Sequence, residues 1–177
     1  MATPKEAAQA MAAFKKGMPT AILRGLRKGM PIAVRYAKLR YMERKDNRHP
    51  FKVFDPPNEP PGPLGIRQGN LARTVRVGAM RYTGKKLTAY IEAGSPDVPY
   101  AAVHEFGAVI RAKNGPNLIF FGNMGQGPFK VMKPTVTIPA RPYLTPALRD
   151  ASPEIVSHVQ KELQTLARAT LRGVARF

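Results

Sequence analysis

Six prolines crowded into one stretch constrain the fold of this chain more than any other feature of its sequence. They are Pro50, Pro56, Pro57, Pro60, Pro61 and Pro63. Consecutive prolines favour an extended polyproline geometry and exclude a regular helix. We therefore predict a Pro-rich linker or strap over residues 50–69. A surface loop between helix and sheet is the favoured interpretation, and a semi-rigid strap that lies on a neighbouring subunit is the alternative.

The residues before this stretch predict a basic helical segment over residues 1–49. Apolar side chains recur at steps of four and three from Ala7 to Met18, which is typical of one face of a helix. Pro19 and Pro31 each remove a backbone donor, so we expect a helix in two or three pieces with breaks or kinks at these positions. Eight basic residues are candidates for contact with DNA or an acidic partner: Lys15, Lys16, Arg24, Arg27, Lys28, Arg35, Lys38 and Arg40.

The residues after the prolines, 70–177, predict an α+β core. Alternating apolar residues over 71–82 and 87–94 indicate two strands, and the Gly-containing turn between them is typical of a hairpin. Apolar and aromatic residues spaced by threes over 98–107 favour a short helix instead. Gly107 is a natural end for that helix.

Two further elements complete the predicted core. Interrupted alternation on both sides of a glycine-rich stretch predicts a hairpin extension over 111–135, with its tip near 122–127. A C-terminal helix is predicted over 152–175, because Ser152 suits the N-cap and Pro153 suits the first helical position. The expected fold is a single α+β domain, in which an antiparallel sheet packs against a long N-terminal helix and a C-terminal helix, with long Pro- and Gly-rich loops.

The balance of charge indicates the partners of the chain. With 29 Lys and Arg against 11 Asp and Glu, the formal net charge is +18, which attracts polyanions and acidic proteins. A soluble basic protein that binds nothing acidic is the alternative. The chain has no cysteine, which removes disulfides and thiolate zinc sites and fits synthesis in a reducing cytoplasm. No apolar run approaches the roughly 20 residues that span a bilayer, so no membrane partner is expected.

Few features of the sequence favour catalysis. His49, His104 and His158 lie in separate segments without metal-ligand spacing, and HEFGA lacks the second histidine of the HExxH zinc motif. The glycine-rich stretch 122–127 lacks the GK[ST] of a phosphate-binding loop. The acidic residues are scattered along the chain, with no pair that stands out for acid–base work. We therefore expect no enzymatic activity, no cofactor and no metal site.

Three segments, in order, resemble the tail-completion and head–tail joining (neck) proteins of tailed bacteriophages. GNLARTVRV, residues 69–77, is similar to the stretch that opens the sheet in that family, and VPYAAVHEFG, residues 98–107, resembles its "YA..vEFG" or "YAaiHqFG" signature. IPARPYLTPAL, residues 138–148, resembles "iPArPFLrpAl", which precedes a terminal helix. The basic helix ending in PIAVRYAKLRYM resembles the helix before the first motif. The motif positions are Gly69, Leu71, Tyr100, Ala101, His104, Glu105, Phe106, Gly107, Pro139, Arg141, Pro142, Tyr143 and Leu144.

The chain departs from the family pattern at two places. The Pro-rich stretch replaces a short link, and the span 111–134 is longer than in many relatives; both additions are interpreted as contact arms. The aromatic motif residues Tyr100, Phe106 and Tyr143 have two interpretations. We favour ordinary core residues, and the alternative is amphipathic anchors that pin the short helix and the proline segment to the sheet.

The resemblance implies a structural, non-enzymatic virion protein of the neck or tail, synthesised in the host cytoplasm. The partners that it implies are further copies of the chain in a ring, often a hexamer, a head-side connector or stopper protein, a tail terminator or tail tube protein, and genomic DNA in the channel. A minor tail or tail-terminator component is one alternative function. A sequence-independent nucleic-acid-binding protein is another.

Overall fold

The computed structural model describes residues 3–43, 64–66, 69–113, 115–123 and 128–174. Most of the predicted Pro-rich linker lies outside these ranges, as do residues 124–127 of the predicted hairpin tip. The elements below belong to the described residues alone.

Helices and short strands follow one another along the described chain. The helices are α1 (Pro4–Arg40), α2 (Asn70–Thr74), α3 (Ala101–Phe106) and α4 (Leu144–Val174). The strands are β1 (Met42–Glu43), β2 (Leu64–Gly65), β3 (Arg76–Val77), β4 (Arg81–Tyr82), β5 (Leu87–Thr88), β6 (Ile91–Glu92), β7 (Ala108–Arg111), β8 (Leu118–Asn123), β9 (Pro128–Lys133) and β10 (Thr135–Ile138).

The chain divides into two compact units, each built from separate stretches of sequence. The first unit consists of Met1–Tyr36, Arg76–Ile91 and Leu148–Phe177. The second unit consists of Ala37–Val75 and Glu92–Ala147. Each unit is described on its own below.

The first unit is a pair of long helices with short strands against it. Its core cluster consists of Met30 and Ala33 from α1 and Ala151 and Ile155 from α4. Partly buried side chains from the strand region pack against this cluster: Val77, Met80, Ala89 and Ile91. β4 and β5 pair antiparallel in this unit, with Tyr82 opposite Leu87. The predicted hairpin at this point is therefore confirmed.

A stripe of small residues brings α1 close to α4. The stripe recurs every four residues, which places its members along one winding face of the helix: Gly17, Ala21, Gly25, Gly29 and Ala33. A methyl group added at Gly25 lies only 2.5 Å from the Cα of Val159, and one added at Gly29 lies 2.9 Å from the Cα of Ile155. The two backbones therefore approach more closely than side chains allow elsewhere.

Polar contacts join the same two helices along their length. The Lys28 ammonium pairs with the Glu162 carboxylate, and the Tyr36 hydroxyl donates to the Glu154 carboxylate. The Lys28 side chain is largely exposed, so water screens this ion pair and it contributes little to stability. Burial of the apolar and small-residue faces therefore contributes more to the association of the helices.

Antiparallel strand pairs make up much of the second unit. β8 and β9 form a hairpin that runs from Leu118 opposite Lys133 to Asn123 opposite Pro128. β7 and β10 pair antiparallel at its base, over 108–111 and 135–138. The predicted hairpin extension is therefore confirmed in its described part. The shorter strands β1 and β2 pair parallel.

The prolines of α1 do not divide it. α1 is a single 37-residue helix with Pro19 and Pro31 inside it, so the expected division into two or three pieces is wrong. A proline inside a helix costs about 3 kcal/mol. Members of the small-residue stripe lie on both sides of each proline, and their packing on α4 offsets that local cost. The predicted apolar face of α1 is also wrong at Met11, whose side chain is 69% exposed.

The start of the C-terminal helix also differs from the prediction. α4 begins at Leu144, so Ser152 is not its N-cap and Pro153 lies inside it. The hydroxyl of Ser152 donates to the carbonyl of Leu148, four residues earlier in the same helix. The turns of α4 that precede the predicted start contain the buried residues Ala147 and Ala151.

The first predicted strand, 71–82, is wrong in its first half. Asn70–Thr74 is the short helix α2, which follows Gly69 in the left-handed region at φ 77°. Leu71 and Val75 are buried, whereas Arg73 between them is exposed. In a strand these three residues would share one face, but in a helical turn only the residues four apart do. β3 and β4 make up the strand structure of the second half.

The α+β fold class is confirmed by these elements. A long N-terminal helix and a C-terminal helix are both present, and short antiparallel strand pairs accompany them. Within the described ranges, none of the helices has both the length and the apolar character needed to cross a bilayer.

Candidate functional site

A buried carboxylate lies at the centre of the second unit. Glu105, on α3, is only 5% exposed. Its two oxygens accept four hydrogen bonds: from the N–H of Tyr143 at 2.8 Å, of Leu144 at 2.9 Å and of Thr145 at 2.9 Å, and from the Thr145 hydroxyl at 2.6 Å. These N–H groups belong to the beginning of α4, where helical donors have no partner within the helix. Glu105 therefore caps α4 from a different element of the chain.

The electrostatic state of Glu105 follows from two opposing influences. Burial is the largest single influence and raises the pKa of this carboxyl group. The hydrogen bonds from the Thr145 side chain and from the backbone of residues 143–145 together outweigh burial, so the pKa is lowered overall from its ordinary value of 4.5. Glu105 is therefore ionised at neutral pH, which suits the positive end of the α4 dipole.

Tyr143 completes the buried centre. Its side chain is fully buried, and its hydroxyl lies 3.4 Å from the carbonyl oxygen of Ala101, to which it donates. Burial, and then the negative charge of Glu105, raise the pKa of Tyr143 to about 12. The phenol therefore stays neutral and acts as a hydrogen-bond donor and a core residue, as the favoured interpretation of this residue requires.

Gly107 allows α3 to end against the segment before α4. It has φ 74°, and its N–H donates to the carbonyl of Val103 at 2.8 Å. A methyl group at this position lies 3.0 Å from both the Ile138 oxygen and the Ala140 nitrogen. The predicted short helix with its end at Gly107 is confirmed, and the glycine is required both for its backbone angle and for this close approach.

His104 takes part in the same contact through its backbone. Its carbonyl oxygen accepts a hydrogen bond from the N–H of Arg141 at 2.7 Å. Its ring lies edge-on to the ring of Tyr100, with 5.6 Å between centroids. Burial and then the charge of Arg141 lower the pKa of His104, so the imidazole is neutral at pH 7. These contacts assign His104 a packing role.

The first motif segment, 69–77, is linked to the buried centre around Glu105 through Gly94. The N–H of Gly94 donates to the Thr74 hydroxyl of α2 at 2.9 Å. Gly94 also lies close to α3, because a methyl group added to it meets the Cβ of Ala101 at 3.1 Å. The segments 98–107 and 138–145 are therefore in direct contact within the second unit, and the segment 69–75 is linked to them through Gly94, which lies outside all three.

Two aromatic motif residues lie outside this core. Phe106 is 77% exposed, and Tyr100 is also exposed. The interpretation of all three aromatic residues as core residues is therefore wrong for these two. Their neighbours on α3 explain the difference, because the buried face of this short helix is occupied by Ala101 and Glu105. The motif prolines Pro139 and Pro142 are exposed as well.

An open, mainly apolar groove lies in the same unit, at the base of the β8–β9 hairpin. Its large apolar residues are Ile110, Leu118, Ile119 and Met132. Ile119 and Met132 are directly opposite each other in the strand register and are both about half exposed, at 48% and 52%. The groove also has basic residues at its edge: Arg111 and Lys113. A surface of this kind suits contact with another protein chain.

The eight basic candidates are spread along α1 and do not converge on one point. All are exposed except Lys38, which is half-buried. Six of them belong to the first unit, and Lys38 and Arg40 belong to the second. Lys28 is engaged with Glu162, which makes it less suited to an external ligand than the others.

Two functional features have no counterpart among the sequence predictions. The capping role of Glu105 and the participation of Thr145 have no local pattern, because the two residues are 40 positions apart. The small-residue stripe does have a signal, since Gly or Ala recurs at every fourth position from Gly17 to Ala33. A search for periodic large apolar residues does not detect such a pattern of small residues.

No protein-family model, no curated protein and no solved structure matches this chain. In the part of the chain that the structure describes, no group of three or more His, Asp or Glu residues is arranged to hold a metal ion. The features that bear on function are therefore the contacts around Glu105 and the surfaces of the two units.

Proposed function

We propose that this chain is a structural subunit of a tailed-bacteriophage virion, at the neck or tail-completion position between the head connector and the tail. The observation that supports the proposal most is the direct contact between the second and third motif segments, 98–107 and 138–148. The "EFG" segment supplies Glu105 and Gly107, and the "PARPYL" segment supplies the donors and the backbone that meet them. Several of the residues that carry the resemblance in these two segments thus form one structural centre.

The role of this centre is architectural. Glu105 accepts four hydrogen bonds from protein groups, and Tyr143 is fully buried. A catalytic carboxylate needs access to a substrate, whereas a capping carboxylate needs the enclosure seen around Glu105. We therefore propose a non-enzymatic protein in which the centre holds α3, the proline segment and the start of α4 in a fixed geometry.

The apolar groove supports a role in assembly. Its apolar residues Ile110, Ile119 and Met132 are 40%, 48% and 52% exposed, and apolar surfaces of this kind on soluble proteins usually mark interaction sites. In the described residues β8 and β9 pair only with each other, and an isolated two-stranded hairpin is at best marginally stable in water. We propose that the groove and the hairpin bind a neighbouring subunit in a ring.

A position further down the tail is the alternative for this subunit, and it requires the same structural features. A minor tail or tail-terminator component also needs a rigid centre and an exposed apolar contact surface. Location of the subunit by electron microscopy of intact particles distinguishes the two. Mass spectrometry of purified virions comes first, and absence of the chain from the particles ends the whole proposal.

We expect Ile119→Glu to prevent self-association of the protein. A charge placed in an interface that must become dry leaves an unpaired group, which costs several kcal/mol. Size-exclusion chromatography with light scattering is run at roughly 0.3 M salt, where charges on copies of +18 are screened beyond about 5–6 Å. The wild-type chain is expected as an oligomer and the variant as a monomer.

Val156→Glu is the matched control for this experiment. Val156 lies on α4 in the first unit and is 51% exposed, which is close to the exposure of Ile119. The control variant is expected to keep the wild-type oligomeric state. Equal loss of assembly in both variants, or a wild-type chain that stays monomeric at high concentration, contradicts the proposed role of the groove.

A further inference from the structure

Positive charge is concentrated in the first unit. Its three segments contain 16 Lys and Arg residues and four Asp and Glu residues, whereas the second unit contains 13 and seven. The first unit thus carries a net charge of +12, against +6 for the second, although it has fewer than half of the residues. The two-helix unit is therefore the main source of the electrostatic field of the chain.

The acidic residues of this unit are already engaged within it. Glu6 accepts hydrogen bonds from Thr3, Asp150 lies 3.6 Å from Arg149, Glu154 accepts from Tyr36, and Glu162 pairs with Lys28. All four lie in the described part of the chain. In the described contacts none of the four pairs with Lys16, Arg27 or Arg35 of α1, so these three cations can be neutralised by an external anion.

The cations of α1 lie on an exposed ridge. Positions separated by steps of four or three fall on one side of a helix, and six exposed positions follow that spacing: Lys16, Thr20, Arg24, Arg27, Pro31 and Arg35. We call these six residues the basic ridge. At about 1.5 Å per residue the ridge is about 28 Å long, close to one turn of duplex DNA.

The composition of the ridge favours a phosphate backbone over an acidic protein. Protein interfaces depend on large apolar or aromatic anchors, and the ridge contains none. Three of its four basic residues are arginines, whose planar guanidinium binds phosphate through two parallel hydrogen bonds. The exposed apolar surface suited to a protein partner lies instead in the second unit.

We infer that the basic ridge binds duplex nucleic acid through its phosphates, without reading the sequence. Lys16, Arg27 and Arg35 supply most of this binding, because the fourth cation, Arg24, already interacts with the Glu162 carboxylate, whose pKa it helps to lower. Lys28 contributes little, because Glu162 already neutralises it. The inference goes beyond the proposed assembly role. The two are independent, so disproof of one does not disprove the other.

The test uses fluorescence anisotropy with a labelled random duplex of about 24 base pairs, from roughly 50 to 300 mM salt. The wild-type chain is expected to bind with an affinity that falls steeply as salt rises. The triple variant Lys16→Glu, Arg27→Glu, Arg35→Glu is expected to bind more than about tenfold more weakly at 100 mM salt, with a salt slope shallower by about two to three. Circular dichroism checks the fold, and the corresponding Gln triple replaces the Glu triple if that one unfolds.

A matched triple variant separates a local site from net charge. Arg81→Glu, Lys85→Glu and Lys86→Glu remove three exposed cations from the β4–β5 hairpin of the first unit, outside α1 and outside the proposed assembly groove, and change the net charge by the same amount. This control is expected to lose less than about threefold in affinity. Equal losses in the two triples overturn the inference, and so does a wild-type chain that binds polyglutamate more tightly than duplex, which indicates an acidic protein partner.

Discussion

Glu105→Ala is expected to lower the free energy of unfolding by about 3–5 kcal/mol. The change removes the acceptor of three backbone N–H groups and one hydroxyl, and each buried donor left without a partner costs about 1–3 kcal/mol, less where water enters. It also removes the negative charge at the start of α4, where the helix dipole is positive. Urea denaturation followed by circular dichroism at pH 7 measures the loss.

Graded variants show whether the charge or the hydrogen bonds matter more. Glu105→Gln keeps the shape and one acceptor oxygen, so we expect roughly half of the loss. Thr145→Ala removes one donor and should cost about 1–2 kcal/mol. Asp97→Ala is the control, because Asp97 is an exposed acidic residue of the same unit and should change stability by less than about 0.5 kcal/mol. A Glu105→Ala variant as stable as this control contradicts the capping role.

The same carboxylate should make stability depend on pH. The pKa of Glu105 is lower in the folded chain than its ordinary value of 4.5, so the folded state favours the ionised form more than the unfolded state does. This contribution is fully present above about pH 4.5. It is lost as the pH falls from there through the folded pKa. The difference in urea midpoint between the wild type and Glu105→Gln should therefore shrink between pH 5 and pH 3, and a difference that stays constant contradicts a lowered pKa for Glu105.

Elements whose signals are local were predictable from the sequence. The helix over 101–106, its end at Gly107 and the hairpin of β8 and β9 each depend on residues that are close together along the chain. Spacing by threes, a glycine in the left-handed region and a glycine-rich turn are properties that a short window contains. These elements therefore emerge from pattern alone.

Elements fixed by distant residues were not predictable in the same way. The Ser–Pro pair at Ser152 is a good local start signal for a helix, and it predicts the wrong start for α4. The actual cap is a carboxylate 38 residues before Tyr143, which permits the helix to begin at Leu144. The prolines of α1 are a second case in which distant residues decide the structure. Packing of α4 along Gly17, Ala21 and Ala33 outweighs the local tendency of proline to break a helix.

The sequence predicted some residues of the candidate site but not the capping role of Glu105 or the part played by Thr145. The resemblance selected Glu105, Gly107 and Tyr143, which the structure brings together. It also selected Phe106, whose exposure no pattern in the sequence reveals, because its neighbours on α3 decide which face is buried. A periodic pattern shows which residues share a face of an element. Which of those faces is buried depends on the packing of the whole chain.

Gly25→Ala is expected to lower the free energy of unfolding by about 2–4 kcal/mol, although alanine is the better helix former. The change itself favours the helix by about 1 kcal/mol. The added methyl group, however, would lie 2.5 Å from the Cα and 2.8 Å from the nitrogen of Val159, and backbone atoms of a helix cannot move aside singly. α1 and α4 must therefore separate locally, which weakens the packing around Ile155 as well.

Gly17→Ala is the matched comparison, because it is the same substitution on the same stripe. There the new methyl group meets the end of the Leu166 side chain, at 2.8 Å from its Cδ1. A flexible side chain yields by changing its rotamer, so we expect a change between zero and a gain of about 1 kcal/mol. Thermal and urea unfolding of both variants give the comparison directly. If Gly25→Ala is as stable as Gly17→Ala, the close approach of the two helices at Val159 is wrong, and with it the explanation of how a single helix carries two internal prolines.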